Sequence, residues 1–352
     1  MTAMRDEIAE IPRVVRAILS EGGAERASVG AAIRAADPAW TTIVARGTSD
    51  HAAVYGQFLV ETHLGLPVGL ASPSVTTIYR APIRWRGGLV IAVSQSGQSP
   101  DIVAVTEAAR AGGAITVAIT NTPGSPLELA AEHRLDCRAG VERAVAATKT
   151  YVAELAVLAA LVAELAPGSG LAQRLSSAPE ALEGGLASAI EWVDGPVGSG
   201  LVAAVAEAGR AIVTSRGFNL ATALEISLKL KETSGIFAEG YSTADLEHGP
   251  IALATADVPL VVVRPDGPVG VAIYDSVERA SSVGARSWTI GSREVDGIAN
   301  ALAFSGPAGE LPEALSPLLY AIPGQLVAES VARRLGRNPD APAGLTKVTL
   351  TR

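Results

Sequence analysis

Two stretches of this chain, far apart in sequence, are built alike: Ile43-Val-Ala-Arg-Gly-Thr-Ser-Asp50 and Ile212-Val-Thr-Ser-Arg-Gly-Phe-Asn219. Each is a β-branched run that enters a glycine turn and opens into a helical pattern. A strand that turns directly into a helix must come back to its sheet beside itself, which favours parallel sheets covered by helices. Two such starts argue for two similar halves. Short apolar runs predict strands over 42–45, 89–93, 114–119, 211–214, 259–263 and 287–290. Helical patterns fill the intervals at 52–63, 102–111, 149–165, 220–233, 268–283 and 312–335. The Pro-Gly-Ser-Gly segment within 166–171 is the best linker, followed by a helical stretch to about Trp192.

Composition narrows the function classes. Apolar residues make up 48% of the 352 residues and aromatics only 4%, so the core must be Ala, Val, Leu and Ile. The net charge of −8, with no basic run, argues against a nucleic-acid partner. Cys137 is the single cysteine, which rules out an intrachain disulfide or a cysteine-rich metal site and fits a reducing cytosol. Acids among the first apolar residues do not suit a secretory signal. The apolar stretch around 153–166 is broken by Glu154 and Glu164, so no membrane span is expected. These features predict a cytoplasmic protein.

The chemistry concentrates in two places. Directly after the 89–93 strand comes Ser94-Gln-Ser-Gly-Gln-Ser-Pro-Asp101. Its hydroxyls, amides and glycine backbone, placed at a helix N-terminus, suit a phosphate. It lacks the Gly-Lys-Ser/Thr ending of a Walker loop. An ordinary turn with Ser99 as helix cap explains the same local pattern, and the residues alone leave both readings open. In such folds ligands bind where strand C-termini meet helix N-termini. Only the first half has this loop.

The second place is the helix around Glu225. At about 100° per residue, Glu225, Lys229 and Glu232 fall within roughly 60° of one another. Leu224 and Leu228 border this line on one side, Ile226 and Leu230 on the other. Apolar borders point to a partly buried carboxylate–ammonium–carboxylate line, in which pKa values can shift towards neutrality. A surface i,i+4 ion pair is the plainer alternative. Lys231 points away, to solvent. Only four lysines occur, Lys149, Lys229, Lys231 and Lys347, against 24 arginines. Lysine kept where arginine is the rule suggests positions that arginine cannot fill. His248 sits beside a helix-breaking Gly-Pro. No His/Cys/Asp set has metal spacing, and no Gly-x-Ser-x-Gly elbow is present.

Together these pieces resemble the tandem sugar-isomerase (SIS) domain family, in particular the isomerase half of glucosamine-6-phosphate synthase. The matching segments are Arg46-Gly-Thr-Ser49, Ser94-Gln-Ser-Gly-Gln-Ser99, Glu142 with Val145-Ala-Ala-Thr-Lys149, Ala223-Leu-Glu-Ile-Ser-Leu-Lys-Leu-Lys-Glu232, Glu247-His-Gly-Pro250 and Leu345-Thr-Lys347. The resemblance implies two SIS domains, each a mainly parallel sheet flanked by helices in three α/β/α layers. It divides the chain into 1–168 with a leading helix, a linker helix at 169–195, a second domain at 196–336, and a tail at 337–352 over the active site.

By the same resemblance, Ser94, Gln95, Ser96 and Ser99 hold a sugar phosphate, with Gly47, Thr48, Ser49, Val145 and Ala147 lining the sugar. Glu232 moves the proton between C1 and C2, supported by Glu225 and Lys229. His248, donated by the neighbour in a homodimer, helps open the ring. Lys347 contacts or forms an imine with the open sugar. No redox cofactor and no metal are expected.

Departures redirect the activity. The synthase carries a glutaminase domain with a nucleophilic cysteine before its SIS pair; here the first predicted strand already begins at Thr42. Ala147 stands where the synthase has a serine, and Phe237 where it has a histidine. The implied reaction is deamination of glucosamine 6-phosphate to fructose 6-phosphate and ammonia. A fructosamine-6-phosphate deglycase and a non-catalytic sugar-phosphate sensor are the alternatives.

Overall fold

The computed structural model describes residues 2–291 and 300–347. It contains two five-stranded sheets, and every strand pair in both is parallel. The first has the order β2-β1-β3-β4-β5, with β1 Trp40–Val44, β2 Val68–Leu70, β3 Gly88–Val93, β4 Ile115–Thr120 and β5 His133–Asp136. The second has the order β10-β9-β8-β6-β7, with β6 Arg210–Ser215, β7 Phe237–Ser242, β8 Leu260–Arg264, β9 Ser287–Gly291 and β10 Ala301–Ala303.

The six predicted strands are the six inner ones, each within two residues of its expected bounds. The four strands without a sequence signal, β2, β5, β7 and β10, are all sheet edges. An edge strand is covered less and hydrogen-bonded on one side only, so it needs no apolar run. β7 reads Phe-Ala-Glu-Gly-Tyr-Ser, and its Phe237 is 82% exposed.

The compact units do not follow chain order. Among the described residues, one comprises 13–142, 149–176 and 346–347; the other comprises 2–12, 143–148, 177–291 and 300–345. The leading helix Ala3–Ala9 therefore groups with the second sheet, whereas the division at 1–168 expects it with the first. The tail is split after Leu345, and its residues 348–352 lie outside the described set.

In the unit of the first sheet, side-chain alternation along the strands gives two apolar faces. Val44, Val90, Ala92 and Ala118 pack with Ile102 and Val105 of the helix Pro100–Ala111. The opposite face carries Ile43 against the helix Thr48–Leu64. There, a Cβ on Gly56 would come 2.9 Å from Ile43 Cδ1 and 3.4 Å from Leu158 of the helix Lys149–Leu165. That last helix is buried from Lys149 to Ala163, which explains its low polarity. In the other unit, Ile212, Leu260 and Val262 pack with Ile273 and Val277 of the helix Pro268–Ser282. Among the described residues no helix is long and apolar enough to cross a membrane.

Candidate active site

The first sheet reverses its winding between β1 and β3, since β2 lies outside β1 and β4 beyond β3. Loops leaving adjacent strands at such a reversal diverge and leave a crevice. The two loops here are those singled out in the sequence. Gly47 follows β1 with φ 58° and ψ −129°, a conformation for glycine, and Thr48 starts the helix. Ser94–Ser99 follow β3. Arg46 and Asp101 tie the loops together through Nε to Oδ2 at 2.8 Å. Asp101 is buried and also accepts from Ile102 N at 2.9 Å. An acid at the second position of a helix, as Asp101 is here, is itself a sequence signal.

The loop's hydroxyls are arranged to donate. Ser94 Oγ accepts from Gly97 N at 3.2 Å and Ser96 Oγ from Gln98 N at 3.3 Å, which leaves each hydroxyl proton for another acceptor. Gln95 holds the loop through its backbone oxygen, which accepts from Asn121 N at 3.1 Å. Gly97 has φ 61°, and a Cβ there would lie 2.2 Å from Ser125 Oγ, so only glycine lets the loop pass. Ser99 occupies the cap position of the helix Pro100–Ala111, yet its side chain makes no cap hydrogen bond. That removes the plain-cap explanation for Ser99.

Ser49 is buried, and its hydroxyl donates to Glu154 Oε1 at 2.7 Å, so it is a core contact as well as a residue of the turn. Lys347 lies in the same unit, with Nζ 2.7 Å from Glu142 Oε2. Glu142, whose side chain is fully buried, also accepts from Thr150 N at 3.1 Å and Thr150 Oγ1 at 2.7 Å. Lys149 is buried and donates to Val141 O at 2.7 Å. Glu142, which accompanies the Val145–Lys149 motif in the sequence, thus anchors the lysine of the tail.

In the other unit, the helix Leu220–Ser234 leaves the C-terminal end of β6 and runs back. It ends at Gly235, and Phe237 N then donates to Gly209 O at 3.2 Å beside the start of β6. Glu232 therefore sits at the N-terminal edge of the second sheet. Lys229 is fully buried, 3.3 Å from Glu225 Oε1 and in direct contact with Glu232 Oε2. Glu225 is 1% exposed and Glu232 24%. The line is thus a buried ion set with one carboxylate opening outward, and not a surface pair.

Its electrostatics correct one expectation. Burial disfavours the Lys229 ammonium, but the charges of Glu225 and Glu232 and their hydrogen bonds outweigh it, and the pKa is raised above 10.5. Lys229 is a fixed cation and not a proton carrier poised near neutrality. Lys231 is 44% exposed, as read.

Glu232 borders a cavity of about 600 Å³, whose wall also includes Lys231, Arg337, Asn338, Pro342 and Leu345. The tail segment before Thr346 thus lies against Glu232. In this same unit the segment 143–148 alternates: Ala144, Ala146 and Thr148 are buried, while Val145 and Ala147 are half-exposed. His248 is exposed and ends the short helix Thr243–Glu247. No group of residues suited to a metal ion occurs among the described residues.

The chain belongs to the SIS domain family, whose model matches residues 41–164 and 204–269. It is 36% identical over 347 residues to the glutamine–fructose-6-phosphate aminotransferase (isomerizing) of Methanothermobacter thermautotrophicus, covering 98% of this chain and 55% of that protein. The chain thus spans about half the length of the curated relatives it matches. A solved structure from Silicibacter pomeroyi DSS-3, provisionally described as a phosphosugar isomerase, has a TM-score of 0.85 at 34% identity and covers 97% of this chain and 100% of that one. The C-terminal domain of glucosamine-fructose-6-phosphate aminotransferase from Francisella tularensis has a TM-score of 0.84 at 23% identity, covering 97% and 98%, and shares the fold.

Proposed function

We propose that this chain is a sugar-phosphate isomerase and deaminase that converts glucosamine 6-phosphate to fructose 6-phosphate and ammonia. The observation that carries the reading is the ion set of Glu225, Lys229 and Glu232: a buried fixed cation holding a carboxylate whose other side opens onto a cavity. Such a carboxylate is held ready to take a proton from carbon, and general-base catalysis of this kind contributes on the order of 10²–10⁴ in rate. Membership of the SIS family and the likeness to phosphosugar enzymes supply the substrate class.

In the proposed sequence, Ser94, Gln95, Ser96 and Ser99 bind the phosphate, while Gly47, Thr48, Ser49, Val145 and Ala147 face the sugar. His248, contributed by the partner subunit of a homodimer, assists ring opening; its exposure is compatible with that role. Glu232 removes the C2 proton of the open-chain aldehyde, whose electrons move to form an enolamine. Return of the proton at C1 gives the imine of fructose 6-phosphate. Water adds to that imine and ammonia leaves. The isomerisation is redox-neutral, so no external oxidant enters. Lys347, held by Glu142, supplies a cation or an imine to the sugar carbonyl.

The cavity beside Glu232 favours a second reading. Its volume, about 600 Å³, exceeds what a hexose needs and leaves room for a substituent on the sugar nitrogen. A fructosamine-6-phosphate deglycase would use the same phosphate loop and base. Incubating the purified protein with glucosamine 6-phosphate and, separately, with an N-substituted fructosamine 6-phosphate distinguishes the two. Ammonia and fructose 6-phosphate from the first substrate are expected. Release only from the second assigns the deglycase, and release from neither overturns both enzymatic readings in favour of a sensor.

A further inference from the structure

Glu7 is buried on the apolar face of the helix Ala3–Ala9, beside Met4 and Ile8. A carboxylate in that position must find internal donors or stay neutral. Its two oxygens accept from consecutive backbone amides of the 143–148 segment: Oε1 from Arg143 N, and Oε2 from Ala144 N at 3.2 Å. The next amide, Val145 N, donates to the backbone oxygen of Asp340 at 2.9 Å. The Asp340 carboxylate in turn accepts from Ala3 N at 2.9 Å and Met4 N at 2.8 Å, the free amides that open the same helix. At the far end of the segment, Gln325, itself buried, donates from Nε2 to Thr148 O at 3.2 Å.

These bonds form a closed circuit. Asp340 holds the helix, Glu7 on that helix holds Arg143 and Ala144, and Asp340 O holds Val145. All of these residues lie in one compact unit. The 143–148 segment has no regular secondary structure, so nothing intrinsic fixes its backbone. With three successive amides fastened, the outward positions are set: Val145 and Ala147 face out while Ala144 and Ala146 face in. We infer that Glu7 and Asp340 are positioning residues that fix the Val145–Ala147 face against which the sugar binds, and so set substrate affinity without entering the chemistry.

This rests on the proposed amino-sugar reaction, and the test separates the two. Glu7→Gln keeps shape but retains only one acceptor oxygen, so one loop amide is released. Losing one charge-assisted hydrogen bond predicts a KM for glucosamine 6-phosphate raised about tenfold, with kcat within about twofold. Residue-resolved amide exchange, which needs no substrate, should accelerate at whichever of Arg143 and Ala144 faces the new side-chain NH2 group. Asp340→Asn should release the helix and, through Glu7, the same two amides, while Val145 stays protected because its acceptor is backbone. Val205→Ala, a cavity in the helix Pro196–Ala208, is the control: it lowers the unfolding midpoint and leaves KM unchanged. If Glu7→Gln leaves exchange at Arg143 and Ala144 unaltered, or if KM moves only as it does in Val205→Ala, the circuit has no positioning role. A wild-type protein inactive on amino-sugar phosphates refutes the functional proposal, and the exchange data still decide whether the segment is held.

Discussion

Lys229→Met should be among the most destabilising single substitutions in the chain. Lys229 is fully buried and Glu225 beside it is 1% exposed, so the substitution removes a positive charge 3.3 Å from a buried carboxylate. Removing one partner of a buried ion pair costs about 3–5 kcal/mol. At roughly 2–4 °C per kcal/mol for a domain of this size, the apparent unfolding midpoint should fall by about 6–20 °C. Glu232, 24% exposed, reaches water and adds little to the loss. The double variant Glu225→Leu/Lys229→Met removes both buried charges and should recover most of the deficit. The pH dependence gives a signed check. In the wild type, the raised pKa of Lys229 means that its contribution is complete below 10.5 and is lost only as pH climbs through the folded value. Scanning calorimetry across pH measures all of this. A midpoint for Lys229→Met within about 1 °C of wild type, or a double variant no better than the single, refutes the argument.

Ser94→Ala/Ser96→Ala deletes two neutral donors worth about 1 kcal/mol each and should weaken calorimetric binding of glucosamine 6-phosphate roughly thirtyfold with no change of fold; unchanged binding dismisses the loop. Mixing Glu232→Gln with His248→Ala protein should restore activity if His248 works in the partner's site, and no recovery despite subunit exchange places each site within one chain.

The sequence spoke clearly where one physical demand governed a segment. The helix Lys149–Leu165 is buried almost throughout, and its apolar run marks it to the residue. The inner strands, covered on both faces, show as β-branched runs. β7 and β5 carry Glu239, Tyr241, His133 and Arg134 because an edge tolerates them, and they left no such mark. The line of Glu225, Lys229 and Glu232 was legible because leucine and isoleucine border it. Its raised Lys229 was not, since the balance between burial and two carboxylates depends on distances of a few ångströms. Ser99 occupies the cap position its neighbours indicate, and only the side-chain geometry shows that its hydroxyl makes no cap hydrogen bond. Asp340 caps a helix that begins more than three hundred residues earlier, a pairing with no local trace. Glu7 did leave one: a carboxylate three residues from Met4 on an apolar helix face.

The most direct measurement of the central claim is solvent-deuterium incorporation at C1 and C2 of the sugar phosphate, catalysed by the wild type and by Glu232→Gln. The substitution keeps size and hydrogen bonding and removes the base. Wild-type protein should incorporate deuterium, whereas Glu232→Gln should bind the sugar phosphate and incorporate none. Undiminished incorporation by Glu232→Gln would contradict the assignment of Glu232 as the proton-transfer base.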